Sequence, residues 1–168
     1  MNTHIRNESR GDIEAIEKVI IEAFLNAPHT DHTEHHIVRQ LRKAGALSIS
    51  LVTELDAKIV GHVALSPVTL SDETKDWFGL GPISVLPSHQ KSGIGSQLML
   101  SALELLKHGG AAGCVLLGDP AFYSRFGFSP QPSLVLPEVP PEYFQVIRFA
   151  GTMPCGTVTY HDAFKAKS

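Results

Sequence analysis

Cysteine is scarce in this chain: Cys114 and Cys155 are the only two among 168 residues, and they form no CxxC pair. That excludes a disulfide framework and a thiolate metal cluster, and it points to a reducing compartment. Long apolar runs are missing too, since no stretch approaches the roughly 18 residues of a membrane span. The opening MNTHIRNESRGD is polar and holds no apolar signal core, so a soluble, cytoplasmic protein without a membrane partner is expected. No sign of charge dominates. The formal net charge is -3, with Lys and Arg scattered along the chain. A broad basic face is therefore absent and nucleic acid is not an expected partner. A small anion held by a few local groups is still compatible with this balance. Internal repeats and low-complexity linkers are also lacking.

What is present is enough apolar material for a core, 43% of residues, so one folded domain over 1–168 is expected. Residues 4–7 read as a short strand. Ser9 precedes Asp12 by three, a variant of the capping box. Ile13, Ile16, Val19, Ile20 and Phe24 then recur at helical spacing, giving a helix over 11–25 that stops before Pro28. A second helix is predicted over 34–44, closed by Gly45. Residues 47–53 and 58–70 read as a hairpin. Residues 77–86 form an apolar strand broken by Gly79, Gly81 and Pro82, a pattern of bulging or of close backbone approach. A turn at 87–92 leads into a helix over 93–108, stopped by Gly109 and Gly110. A short strand follows at 113–117. Asp119-Pro120 starts a helix that Gly127 must end early. Residues 129–142 carry five prolines and read as a loop; closing strands are predicted at 143–149 and 157–160. The order β-α-α-β-β-β-α-β-α-β-β is that of a mixed α/β or α+β domain.

The chemistry concentrates where the strand ending near Pro87 turns into the helix over 93–108. A helix start offers free N–H groups and a partial positive charge, and so binds phosphates. Gly93 and Gly95 clear the approach to those amides, Lys91 offers a charge, and Ser92 or Ser96 a hydroxyl. Two other phosphate templates fail. The P-loop order GxxxxGK[ST] is not met around Lys91-Ser92-Gly93, and a dinucleotide fingerprint would need glycine where Leu98 stands.

The stretch Val85-Leu86-Pro87-Ser88-His89-Gln90-Lys91-Ser92-Gly93-Ile94-Gly95-Ser96 resembles the coenzyme A motif of the GNAT N-acetyltransferases, (Q/R)xxGxG/A after a V-x-P strand. Phe122-Tyr123-Ser124-Arg125-Phe126-Gly127-Phe128 looks like the FYxxxGF helix of the same family. Gly79-Leu80-Gly81-Pro82, Leu117-Gly118-Asp119-Pro120, Pro141-Glu142-Tyr143-Phe144 and Tyr160-His161 are similar to its YhbS-like branch. The resemblance implies the GNAT acyl-CoA N-acyltransferase fold, with a mixed central sheet, a bulged strand and flanking helices. It implies acetyl-CoA as co-substrate, no metal, and an unidentified amine acceptor. Many members dimerise, so a homodimer is part of the expectation. The cofactor residues it implies are Ile83, Ser84, Val85, Gln90, Lys91, Ser92, Gly93, Ile94, Gly95, Ser96, Asp119 and Tyr123. Backbone around Ile83–Val85 would pair with the pantetheine arm, a Val85 N–H would stabilise the oxyanion, and Tyr123 would protonate the departing thiolate. A non-catalytic acyl-CoA sensor is the competing reading.

The family's occasional glutamate base has no counterpart in 77–86, which leaves Asp119, Glu54 and His62 as candidates acting through water. His29, His32, His35 and His36 cluster between the first two helices; a polar loop explains them better than a metal does. Arg39 and Arg42 are expected on the outer face of the second helix, and Arg125 in solvent. Cys114 is expected to be a core residue rather than a nucleophile, and Phe122, Phe126 and Phe128 to belong to the core.

Overall fold

Local capping signals set the element ends in the computed structural model, which describes residues 2–28 and 30–167. Its elements are β1 (Thr3–Asn7), α1 (Ile13–Phe24), α2 (Glu34–Lys43), β2 (Ile49–Leu55), β3 (Lys58–Leu70), β4 (Trp77–Val85), α3 (Ile94–His108), β5 (Gly113–Leu117), α4 (Pro120–Tyr123), β6 (Leu134–Val135), β7 (Phe144–Arg148) and β8 (Gly156–Tyr160). The Asp12 carboxylate accepts from the Ser9 backbone N–H at 2.6 Å, closing a 3-10 turn that leads into α1. At the end of α2, Gly45 adopts φ +69, and Ala46 N–H bonds to the Leu41 carbonyl at 2.9 Å, as a left-handed stop requires. Gly110 (φ +84) repeats this after α3, with Ala111 N–H on the Leu106 carbonyl. The β2–β3 hairpin turns through Asp56 and Ala57, both at positive φ, the twist that a two-residue loop favours.

The residues cluster into two units. The first comprises Met1–Leu65, Gly81–Ala102 and Asp162–Ser168. In it β1 pairs antiparallel with β2, and β2 with β3, with a register shift at Thr53/Glu54. The apolar stripes of α1 (Ile16, Val19, Ile20) and α2 (Ile37, Val38, Leu41) are buried. Ala163, from the C-terminal turn, packs with Ile37 and Leu41. The start of α3 contributes Ile94 and Leu98, whose methyl groups lie 3.0 and 3.1 Å from a Cβ placed on Gly61.

The second unit comprises Ser66–Leu80 and Leu103–His161. Here β4 pairs parallel with β5 over Trp77–Gly79, and β5 antiparallel with β7 along its length. The end of β3 pairs with β8, and β6 with β8. Its core holds Val68, Leu70, Trp77, Val115, Phe144, Val146 and Val158. Strand β6 lies within the proline-rich stretch expected to be loop throughout. It is two residues long and pairs in parallel with Gly156 and Thr157, so its partner comes from far along the chain. The eight strands and their mixed pairing agree with the mixed α/β class.

Trp77 lies against the backbone of Gly113, its pairing partner: a Cβ there would stand 2.3 Å from the indole. Trp77 is buried, so its indole or the strand would have to shift to admit a methyl group. Gly113→Ala should therefore destabilise the protein by about 1–3 kcal/mol, as overpacking does, read as a lower urea midpoint at unchanged m-value.

Candidate functional site

Three hydrogen bonds shape the turn before α3. Leu86 N–H donates to the Val60 carbonyl at 2.9 Å, tying the end of β4 to β3. The Gln90 side-chain amide donates to the Val85 carbonyl at 3.0 Å. The Ser92 hydroxyl donates to the His89 carbonyl. The Ser92 hydroxyl thus spends its one proton on the turn, where a phosphate contact was one expectation, and the Gln90 side chain braces the end of β4. Lys91 (φ +63) and Gly93 (φ +87) bring the chain round in the left-handed region. The i→i−4 ladder of α3 begins with Gln97 N–H on the Gly93 carbonyl at 3.0 Å. The amides of Ile94, Gly95 and Ser96 therefore precede the first such bond, and a helix start leaves such donors without internal acceptors.

The two glycines differ in what they are for. Gly93 needs its positive φ. Gly95 has ordinary φ, and a Cβ on it would meet only a Val85 methyl at 3.9 Å, an ordinary contact. Nothing in the protein explains the missing side chain of Gly95, whereas a ligand pressed against the amides would. Lys91 is exposed and makes no ion pair among the described residues. The Ile94 side chain is buried in the core, so only its backbone is available to a ligand, and Ser96 is half-buried.

On β4, Ile83 and Val85 are half-buried while Ser84 faces inward and is buried. Ser84 also offers a ligand only its backbone, and its Oγ has no hydrogen-bond partner in the structure. Gly81 has φ +139 and is followed by a cis bond to Pro82.

Asp119 and Tyr123 lie in the second unit. The Asp119 carboxylate caps α4 by accepting from Ala121 N–H at 3.0 Å, with Pro120 at the first helical position. Tyr123 rests on the backbone of Gly118, where a Cβ would stand 2.1 Å from the ring. Its ring makes edge contacts with Phe122 and Phe128 at 4.9 and 6.3 Å. Burial, and then the nearby Asp119 charge, push its phenol above the ordinary tyrosine range, so Tyr123 keeps its proton at neutral pH.

The remaining sequence expectations fare unevenly. Arg42 is not on an open face: it forms a two-bond pair with Glu8 at 2.8 and 2.9 Å. Arg39 pairs with Glu17. Arg125 stacks over Phe122 at 4.5 Å, and Phe122 and Phe126 are half-buried rather than core, unlike Phe128. Cys114 is buried, and burial pushes its thiol far up, which suits packing rather than nucleophilic attack. His29 lies outside the described residues; His35 stacks on His36 at 3.9 Å. Among the described residues no group of three or more His, Cys, Asp or Glu is placed to hold a metal, and no helix is long and apolar enough to cross a membrane. Glu8 and Ser50 were not anticipated from the sequence: the Ser50 hydroxyl donates to Glu8 and so accepts from the buried His62 Nε2 at 2.8 Å, which puts the ring hydrogen of the neutral imidazole on Nε2.

Residues 46–130 match the family described as acetyltransferase (GNAT) domain. An Escherichia coli K12 protein named as the uncharacterized N-acetyltransferase YhbS is 38% identical over 109 residues, covering 64% of this chain and 65% of that relative. The chain thus matches just under two thirds of that curated relative. Among solved structures, a GNAT family acetyltransferase from Brucella melitensis in complex with acetyl-CoA is 44% identical, with a TM-score of 0.87 over 97% of this chain and 98% of the other. The YhbS N-acetyltransferase of Escherichia coli in complex with CoA is 32% identical, with a TM-score of 0.90 over 100% and 94%.

The two glycines should separate in a stability measurement. Gly93→Ala is expected to cost roughly 1–2 kcal/mol, the penalty of a side chain in the left-handed region. Gly95→Ala should leave stability unchanged or raise it by up to about 1 kcal/mol, as Gly-to-Ala does in a helix. Equal losses in chemical denaturation would contradict the distinction.

Proposed function

The chain belongs to the GNAT acetyltransferase family, and we propose that it is an N-acetyltransferase, moving the acetyl group of acetyl-CoA directly to a primary amine of a small molecule or protein. The observation that carries the reading is the amide cradle at the start of α3, where Gly95 lacks a side chain that the protein itself would tolerate. The acetyl-CoA complex of the Brucella melitensis relative supports the choice of ligand.

Bound acetyl-CoA supplies the activated acetyl thioester. In this reading the amides of Gly93, Ile94, Gly95 and Ser96 hold the pyrophosphate, with Lys91 adding charge. A hydrogen bond to a charged group contributes about 1.5–3 kcal/mol, so three suffice for firm binding. Backbone of Ile83, Ser84 and Val85 pairs with the pantetheine arm. The Val85 N–H faces the thioester carbonyl, where one such donor is worth about 2.7–4 kcal/mol in the transition state. Gln90 and Ser92 act through the turn they hold. Asp119 acts by fixing the start of α4, and thereby Tyr123. Tyr123 gives its proton to the departing thiolate; a phenol that stays protonated at neutral pH suits that role. Free cysteines favour the cytoplasm as its place.

The strand β4 carries no carboxylate, and this favours the sensor as the alternative to be tested. Release of free thiol from acetyl-CoA is expected with at least one member of a panel of polyamines, amino acids, aminoglycosides and peptides. Binding without thiol release for any of them would make the protein a sensor. Tyr123→Phe is expected to lower kcat by about 100-fold or more, the scale of general-acid catalysis, with acetyl-CoA affinity kept within about twofold. Gly95→Ala is expected to weaken acetyl-CoA binding about tenfold or more, about 1.4 kcal/mol, at unchanged fold.

A further inference from the structure

A proton donor helps a departing thiolate only when it stands where the negative charge develops. An error of about 1 Å in such a placement costs up to about 100-fold in rate. Tyr123 ends α4, a helix of only four residues, so the helix itself holds the ring weakly. What fixes the ring must come from its neighbours.

The ring lies on the main chain of Gly118. A Cβ there would stand 2.1, 2.7 and 3.1 Å from three adjacent ring carbons, and these are its nearest atoms. Phe122 and Phe128 meet the ring at interplanar angles of 87° and 75°, the edge-to-face contact that aromatic rings favour. Phe128 is buried, and the chain turns toward it through Gly127, at φ +97. On the side of its own backbone, Tyr123 N–H donates to the Asp119 carbonyl at 3.0 Å. The same seat covers the phenol, because burial is the first cause of its upward shift and the Asp119 charge the second.

Gly118 is the firm member of this set. Its N–H donates to the Tyr143 carbonyl at 2.9 Å, which carries the β5–β7 pairing one step past Leu117 and Phe144. The ring therefore rests on the ladder of the sheet and not on a side chain free to change rotamer. Backbone conformation does not call for glycine here, since the φ of Gly118 lies outside the left-handed region. What excludes a side chain at this position is the tyrosine ring.

We propose that Gly118 is a positioning residue for the acetyl transfer: its missing side chain lets the Tyr123 ring rest on the sheet backbone, and that contact places the hydroxyl that protonates the thiolate. The inference rests on the transferase reading above. As the C–S bond breaks, sulfur takes the electron pair and receives the Tyr123 proton. Of the two protons that the acceptor ammonium sheds, one restores the phenol through solvent and the other is released.

A methyl group at 118 would push the ring away by about 1 Å or more, to reach ordinary carbon–carbon separation. The ring is half-buried and has room to move outward, so the fold should survive. In this Gly118→Ala differs from Gly113→Ala, where the indole is fully enclosed. Thiol release is measured for Gly118→Ala, Tyr123→Phe and the double variant. Gly118→Ala is expected to lower kcat by about 10- to 100-fold, with the KM for acetyl-CoA within about twofold and the melting temperature within about 2 °C. Tyr123→Phe has no proton to place, so adding Gly118→Ala to it should cost no more than about twofold. Equal losses in the two backgrounds would mean that alanine at 118 harms turnover by another route, and would overturn the inference. Wild-type kcat in Gly118→Ala would overturn it too, and both results leave the transferase reading intact. If Gly118→Ala instead melts well below the wild type, that loss must vanish once Tyr123→Ala removes the ring; a loss that persists would overturn the seat. Wild-type kcat in Tyr123→Phe would remove the acid and its positioning together. A wild type that binds acetyl-CoA and releases no thiol with any amine would remove the transferase reading itself.

Discussion

A helix begins with amides that its own backbone cannot satisfy. Much of the organisation around α3 keeps its first amides available. The Gln90 side-chain amide donates to the Val85 carbonyl at the end of β4 and the Ser92 hydroxyl to the His89 carbonyl, so both side chains brace the turn that leads into the helix. The end of β4 is fixed to β3 through Leu86 and Val60, which sets where α3 can start. Ile94 and Leu98 then anchor the helix against Gly61. Packing thus aims the helix start, and the dipole and free N–H groups suit it to the anion proposed for it.

Protonation follows the same logic of environment over residue type. Burial moves Tyr123 up and His62 down. The one shift keeps a phenol as an acid and the other keeps an imidazole neutral, so neither group is charged at pH 7. Setting two titratable groups to fixed states by their surroundings is a recurrent way to separate acid and base roles. The Glu8–Arg42 pair adds a further constraint, because it keeps Glu8 ionised and so decides which nitrogen of His62 carries hydrogen.

What was legible in the sequence was local. Ser9/Asp12, Gly45, Gly110 and Asp119-Pro120 act within four residues of themselves, and each ends or starts an element as its chemistry predicts. The glycine-bearing turn before α3 was legible for the same reason. Contacts between distant residues were not: Glu8 meets Arg42 and Ser50 across separations of 34 and 42 residues, and nothing in the local sequence marks them. Strand β6 was hidden because two residues carry no period of their own. Gly93 and Gly95 look alike in the sequence, and only the space around each separates a conformational need from a vacancy for a ligand. His62 could be named from its type, but its tautomer depended on knowing its neighbours.

The central claim is that backbone amides at the start of α3 receive the pyrophosphate of coenzyme A. Backbone amide spectra of isotope-labelled protein, recorded by NMR during titration with coenzyme A, test it most directly. The account predicts that the amides of Gly93, Ile94, Gly95 and Ser96 shift most, and that 3′-dephospho-coenzyme A, which retains the pyrophosphate, reproduces those shifts. Saturable binding that leaves these four amides in place would contradict it.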